Sequence, residues 1–509
     1  MKRLLKYRPG NGGDEDGRLM SGQNFDLVIR NGTVIDGTGA AGTAGDVGVT
    51  GDRITAVGDL HAARGRVEID AAGNVVSPGF IDVHTHDDNA LRVKPDVACK
   101  TSQGVTTVVV GNCGISLAPL AFRGGRPPPP LDLLGDEFKF PHMVDYVAAI
   151  EKAPPAVNAA LLCGHTTLRI GAMESLDRAA TDDEIDVMRD NLAEALDAGA
   201  VGMSTGLAYA PAREAPTEEV VRLAELLGPA GAVYTTHLRD EGAEIEAAME
   251  EAFHIGRSSG APVVLSHHKV TGKSNFGKTV ETLKIVDRAR GEQTVNLDVY
   301  PYHASSTVLQ IHRIEESERV LVTWSEAMPE AAGRDLNDIA EEMDCSRHEA
   351  ARRLQPAGAI YFMMDEEDVQ RVLAYPHSMI ASDGLPHDVH PHPRLWGTFP
   401  RVLGHYCRDL GLLRLEDAVH RMTGRPALVF GLTGRGEIRE GNFADLVVFN
   451  PKTVIDLADF EHPTEHAAGI EAVFVNGRAV WQDGSATGAR PGHALKRQDL
   501  QAMKQGERQ

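Results

Sequence analysis

Between Val76 and Gly384, apolar runs rich in β-branched residues alternate with stretches of helical periodicity, and this alternation restricts the fold more than any other feature of the chain. Strands separated by helices cannot pair as hairpins. They pair in parallel, with each helix returning the chain across the sheet. Eight such runs end near His84, Cys113, His165, Ser204, His237, His267, Tyr300 and Asp383. Eight βα units predict a closed (β/α)8 TIM barrel, an α/β fold whose reactive groups gather at the C-terminal ends of the strands. One connecting helix marks its own start, because Thr181-Asp-Asp-Glu184 forms a capping box before Ile185, Met188, Leu192 and Leu196 at helical spacing.

The two ends of the chain read differently. Residues 25–77 and 434–490 carry short β runs broken by glycines, such as Asp26-Leu-Val-Ile-Arg30 and Ala444-Asp-Leu-Val-Val-Phe449, which predict one small β-sandwich assembled from both ends. The barrel then occupies 78–433. The interval 304–377 is too long for an ordinary connection and predicts an insertion over the barrel mouth. Arg126-Pro-Pro-Pro-Pro130 marks a second irregular excursion, and residues 1–24 are expected to be a disordered tail. Gly37-Thr-Gly39-Ala-Ala-Gly42 matches a nucleotide-loop spacing, but no helix follows it, so the context for cradling a phosphate is lacking.

A chain of 509 residues, 42% of them hydrophobic, can bury a large core, and its net charge of -22 disfavours nucleic acid and acidic membrane surfaces. A small anionic partner would have to be held by a few local cations. Five scattered cysteines without any CxxC pair exclude a disulfide framework and a zinc ribbon, and point to a reducing cytoplasm. No apolar stretch is long enough for a signal peptide or membrane span. Nothing in the pattern fixes an oligomeric state.

In Phe80-Ile-Asp-Val-His84-Thr-His86 a buried strand runs into two histidines one residue apart, and period-two alternation turns both imidazoles to one side. Cys113 lies in the glycine turn Gly111-Asn-Cys-Gly114 after Thr106-Thr-Val-Val-Val110. His237 and His267 each follow an apolar run, and Asp383 closes the series in Ser382-Asp-Gly384. Taken singly, a buried cysteine or a loop histidine is more often structural. On consecutive barrel strands, however, all six converge on one rim. Thiolate, imidazole and carboxylate together favour zinc, which lowers the pKa of its water to about 7 and polarises a carbonyl. Asp383 is placed to take the proton of the attacking water and return it to a leaving nitrogen.

Gly79-Phe-Ile-Asp-Val-His-Thr-His86, Gly111-Asn-Cys-Gly114, Thr236-His-Leu-Arg-Asp-Glu241, Ser266-His-His-Lys269, Asp298-Val-Tyr-Pro-Tyr302 and Ser382-Asp-Gly384 together resemble the D-aminoacylase branch of the amidohydrolase superfamily, over nearly the whole chain from Phe25. The resemblance implies that Cys113, His237 and His267 hold a tight Zn2+, while His84, His86 and Asp383 line a second, weaker or empty metal position. The carbamylated lysine that bridges two metals in many relatives has no obvious counterpart here, and on this resemblance Cys113 looks like its substitute. The resemblance further implies hydrolysis of N-acyl-D-amino acids, with Lys269, Tyr300 and Arg394 around the α-carboxylate. The segments at Ala304–Leu309, Val322–Ser325 and Pro356–Tyr361 look similar to N-acyl-D-glutamate deacylases, which would place Ser305 and Arg313, or Arg319 in its stead, against a γ-carboxylate. The alternatives are a deacylase for apolar D-side chains, a hydantoinase-like cyclic amidase, and a non-catalytic scaffold of the same fold.

Overall fold

The computed structural model describes residues 7–9, 24–122, 127–135 and 138–497. Its centre is a parallel sheet of eight strands: β1 (Phe80–Asp82), β2 (Val105–Val110), β3 (Asn158–Gly164), β4 (Gly202–Gly206), β5 (Val233–His237), β6 (Val263–Leu265), β7 (Val295–Val299) and β8 (Ser378–Ile380), paired in chain order. A parallel bridge between Thr85 and Gly384 joins the two edges and nearly closes the barrel. Side chains alternate as a two-faced strand requires: Val109, Leu162, Val264 and Met379 share one core cluster, while their neighbours Val108, Val110, Leu161, Leu265 and Ile380 belong to another that includes the helices. The helix Asp182–Asp197 starts at the expected capping box, in which Thr181 Oγ1 accepts from Glu184 N at 3.3 Å and Glu184 Oε2 accepts from Thr181 N at 2.8 Å.

The strands from the two chain ends form a single mixed sheet of ten. Asn24–Val34, Val75–Pro78, Leu446–Phe449 and Ile470–Val475 are its central members. Alternation again explains their continuous apolar runs. Leu446, Val448 and Phe474 pack with Ile29, Val47 and Ile54 inside the small domain, whereas Val447, Val473 and Val475 face the barrel core. Tyr7–Pro9 depart from the expected tail by pairing antiparallel with Arg64–Asp70, whose edge offers unpaired backbone groups. Residues 1–6 and 10–23 of that expected tail lie outside the described residues. The Gly37–Gly42 segment leads into the strand Thr43–Thr50, so no helix N-terminus is present there to bind a phosphate.

The insertion is a lobe with its own sheet, Ser305–Val308, Ala357–Phe362 and Arg319–Ser325 in that spatial order, all antiparallel. Two helices, Leu336–Glu342 and Arg347–Leu354, complete it, and Leu309, Val320, Val322, Leu336, Ile339 and Leu354 form its separate core. The lobe ends earlier than the expected position 377. Glu366–Ala374 packs its Val369, Val372 and Leu373 into the barrel core and leads into β8, so it is a barrel helix. No helix among the described residues is long and apolar enough to cross a membrane.

Candidate functional site

The barrel brings the six donor-type residues together. His84 and His86 follow β1, Cys113 follows β2, His237 ends β5, His267 follows β6 and Asp383 follows β8, and every one of them is buried. His84 Nε2 lies 3.2 Å from Cys113 Sγ and 3.4 Å from Asp383 Oδ1. Cys113 Sγ is 3.5 Å from His267 Nε2 and 3.7 Å from His237 Nδ1, and His86 Nε2 is 3.3 Å from Asp383 Oδ1. Three of these positions are left-handed, with φ of 52° at Cys113, 36° at His267 and 49° at Asp383. A non-glycine residue held there costs about 1–3 kcal/mol, and such strain gathers at functional sites. Neighbours impose it: His267 N donates to Asp298 Oδ1 at 2.8 Å, and Asp383 N donates to the His84 carbonyl at 2.8 Å.

The donor atoms fit a metal. Those of His84, Cys113, His267 and Asp383 lie within 4.8 Å of one another, and a second group joins His237, Glu241 and His267 on the same criterion. Sulfur, nitrogen and carboxylate oxygen in one buried cluster is a zinc-type set. Buried His86 Nδ1 and His237 Nε2 have no hydrogen-bond partner. Burial opposes ionisation of Cys113, yet His84 and His267 beside it hold the thiol well below its ordinary range. Burial likewise opposes a charge on Asp383, but Arg394, His84 and His267 keep this carboxyl well below the usual carboxylate range. Desolvation lowers the pKa of His237 and favours the neutral form that ligates metal.

A cavity opens above these donors, lined by His86, His237, His267 and Asp383 from the rim and by Ser305, Thr307 and Arg313 from the lobe. Ser305 Oγ is buried without a hydrogen-bond partner, and Arg313 Nη2 lies 4.0 Å from Glu241 Oε2. Arg319, the alternative cation, is half-exposed and bonds Asp335 Oδ2 at 2.9 Å, away from the cavity. Lys269 and Tyr300 also line the cavity. Lys269 Nζ donates to Glu241 Oε1 at 2.5 Å and sits 5.6 Å from the Tyr300 ring centroid. Arg394 stands behind the lining. Its Nη1 is 2.9 Å from Asp383 Oδ2, its Nη2 donates to the Ser306 carbonyl at 3.0 Å, and its guanidinium lies 4.5 Å from the Tyr300 ring centroid.

Two buried carboxylates escaped the sequence reasoning. Glu241 meets Lys269, Arg313 and His267, the last at 3.2 Å, and Asp298 lies 3.4 Å from His84 Nδ1. Both stand in quoted motifs, Glu241 four residues after His237 and Asp298 two before Tyr300, so strand-end position was the available signal.

The family model described as "Amidohydrolase family" matches residues 67–481. A D-aminoacylase of Alcaligenes xylosoxydans xylosoxydans is 56% identical over 477 residues, spanning 93% of this chain and 98% of that protein. An N-acyl-D-aspartate deacylase of the same organism is 51% identical, over 92% of this chain and 95% of its own length. The crystal structure of an N-acyl-D-glutamate deacylase from Bordetella bronchiseptica, complexed with zinc and a phosphonate mimic of the tetrahedral intermediate, superposes with a TM-score of 0.91 at 47% identity, covering 93% of this chain and all of that one. Fold, rim chemistry and these likenesses agree, and the chain belongs to the amidohydrolase family.

Proposed function

We propose that this chain is a zinc-dependent hydrolase of N-acyl-D-amino acids, with N-acyl-D-glutamate the preferred substrate. The observation that carries the proposal is the placement of Ser305 and Arg313 across one cavity from a buried cysteine, histidine and aspartate donor set. The relatives named for N-acyl-D-amino-acid, D-aspartate and D-glutamate deacylation support the class and its D-selectivity. Cys113, His237 and His267 would hold the tighter zinc, with His84, His86 and Asp383 around the second position. Zinc supplies Lewis acidity, polarising the scissile carbonyl and acidifying water.

Asp383, kept ionised by Arg394, accepts one proton from the attacking water and delivers it to the leaving nitrogen, so that amide and water become a carboxylate and the free D-amino acid. Lys269 and Tyr300 meet the α-carboxylate from the cavity wall. Arg394 joins them to the extent that an entering carboxylate draws its guanidinium from Asp383. An acidic substrate brings a second carboxylate for Arg313, a partly buried cation that stands over the Tyr361 ring and 4.0 Å from Glu241, a carboxylate that Lys269 already uses. The thiolate at Cys113 suits a reducing cytoplasm.

A second reading, preference for apolar D-side chains, is favoured by the higher identity to the D-aminoacylase and by Leu133 and Leu385 in the cavity lining. The test is kcat/KM of the zinc-loaded enzyme on N-acetyl-D-glutamate, N-acetyl-D-leucine and N-acetyl-L-glutamate. Preference for the first is expected. Preference for the leucine compound would overturn the side-chain assignment, and turnover of none would overturn the class.

A further inference from the structure

Lys100 lines neither the cavity nor the donor cluster, yet it is fully buried, on the short helix Ala98–Thr101. Its Nζ donates to Asp82 Oδ2 at 2.8 Å and to Ser382 Oγ at 2.7 Å, and lies 3.3 Å from Asp87 Oδ2. Asp82, Asp87 and Ser382 are fully buried as well. Burying one ammonium with two carboxylates is a costly way to stabilise a core, since apolar side chains of similar volume often do as well or better.

The location of the cluster explains it better. Asp82 ends β1 and Ser382 follows β8, the two strands that meet at the barrel seam. Elsewhere in the barrel, neighbouring strands share a ladder. Here the described residues show the bridge at Thr85 and Gly384, with Asp383 N donating to the His84 carbonyl at 2.8 Å and His86 N to the Gly384 carbonyl at 3.2 Å. His84, His86 and Asp383 therefore hang from the most sparsely bonded join in the barrel. The charged cluster reinforces that join: Asp82 Oδ1 accepts from Ser382 N at 2.9 Å, and Ser382 Oγ accepts from Gly384 N at 3.1 Å as well as from Lys100. The residues on both sides of Asp383 are thus gripped, while Asp383 itself keeps its left-handed backbone.

The geometry points to Lys100, acting with Asp82 and Ser382, as a positioning residue that locks the barrel seam and so fixes the Asp383 carboxylate against His84 and His86. This rests on the proton-carrying role proposed above for Asp383. A cluster that only stabilised the barrel would change the melting temperature and leave turnover intact below it.

Ser382→Ala tests the device with the least disturbance, since it removes one hydroxyl link and leaves every charge. In the zinc-loaded full-length protein, with whichever N-acetyl-D-amino acid the wild type turns over fastest, kcat should fall about 10-fold or more, because small misplacements of reacting groups are expensive. KM should stay within about two-fold. Equilibrium dialysis against zinc should show the tighter ion retained and the second bound more weakly, with the melting temperature little changed. Wild-type kcat and wild-type affinity for the second zinc would overturn the inference, as would a loss confined to the melting temperature. Should Ser382→Ala fail to fold, the double variant Asp82→Asn/Lys100→Met, which removes the pair together, is judged by the same readouts. If no substrate is turned over, the function proposal fails, and the second-zinc affinity still decides the seam inference.

Discussion

The barrel rim and the lobe above it contribute to one cavity from unlike supports. Rim residues hang from the strands of one barrel sheet, and three of them adopt left-handed backbone fixed by buried neighbours. Ser305 and Arg313 belong to a lobe whose core, built from Leu309, Val322, Leu336 and Ile339, is separate from that of the barrel. Donor geometry must be fixed within a fraction of an ångström, whereas the wall facing a side chain can vary without moving the donors. The difference teaches where to look for each property: reaction class in the barrel, side-chain selectivity in the lobe.

The comparison breaks most sharply at Asp383. Asp383→Asn should lower kcat by about 10²–10⁴-fold on every substrate, acidic or apolar, because the proton carrier serves both. Steady-state kinetics on N-acetyl-D-glutamate and N-acetyl-D-leucine checks it, and a substrate-dependent loss would mean that rim and lobe are not separable. Cys113→Ala should follow, with zinc content by elemental analysis falling along with activity on both substrates; unchanged zinc would remove Cys113 from the ligand set. Within the lobe, Ser305→Ala should reduce kcat/KM for N-acetyl-D-glutamate by several-fold, on the order of one hydrogen bond to a charged group, and leave the leucine compound untouched.

The smallest effect concerns how the lobe is attached. The loop after β8 carries Asp388, whose carboxyl is pushed up to about 7 by burial, against the opposing influence of Thr323 and Trp324 of the lobe and of Arg394. Between its ordinary value of 3.8 and about 7 the folded protein retains a proton that the unfolded chain has released, so stability falls as pH rises through that window. Asp388→Asn should flatten this slope in chemical denaturation measured from pH 5 to pH 8. An unchanged slope would place the titration elsewhere.

Much of the rim's geometry was legible in the sequence because a period of two and a donor-type side chain at a strand end are local signals. His84 with His86, Cys113 after its β-branched run, and Asp383 in Ser-Asp-Gly needed only the parallel-sheet rule to be gathered into one place. Glu241, Asp298 and Lys100 were not legible, since a buried charge looks like a surface charge until its partners are known. Arg394 was visible as a cation, but its pairing with Asp383 joins residues from different elements. The lobe's existence followed from the length of the interval, while its end at Phe362 required packing: Glu366–Ala374 has the same helical texture as the lobe helices and differs from them in burying its apolar face in the barrel.

The most direct test of the division between rim and lobe is the ratio of kcat/KM for N-acetyl-D-glutamate to that for N-acetyl-D-leucine, measured in the wild type and in Arg313→Met. The expected result is a wild-type ratio well above one that falls about 10- to 100-fold in the variant, with the leucine value preserved, as for the loss of one buried charge-assisted contact. Equal losses on both substrates, or an unchanged ratio, would contradict the assignment of selectivity to the lobe.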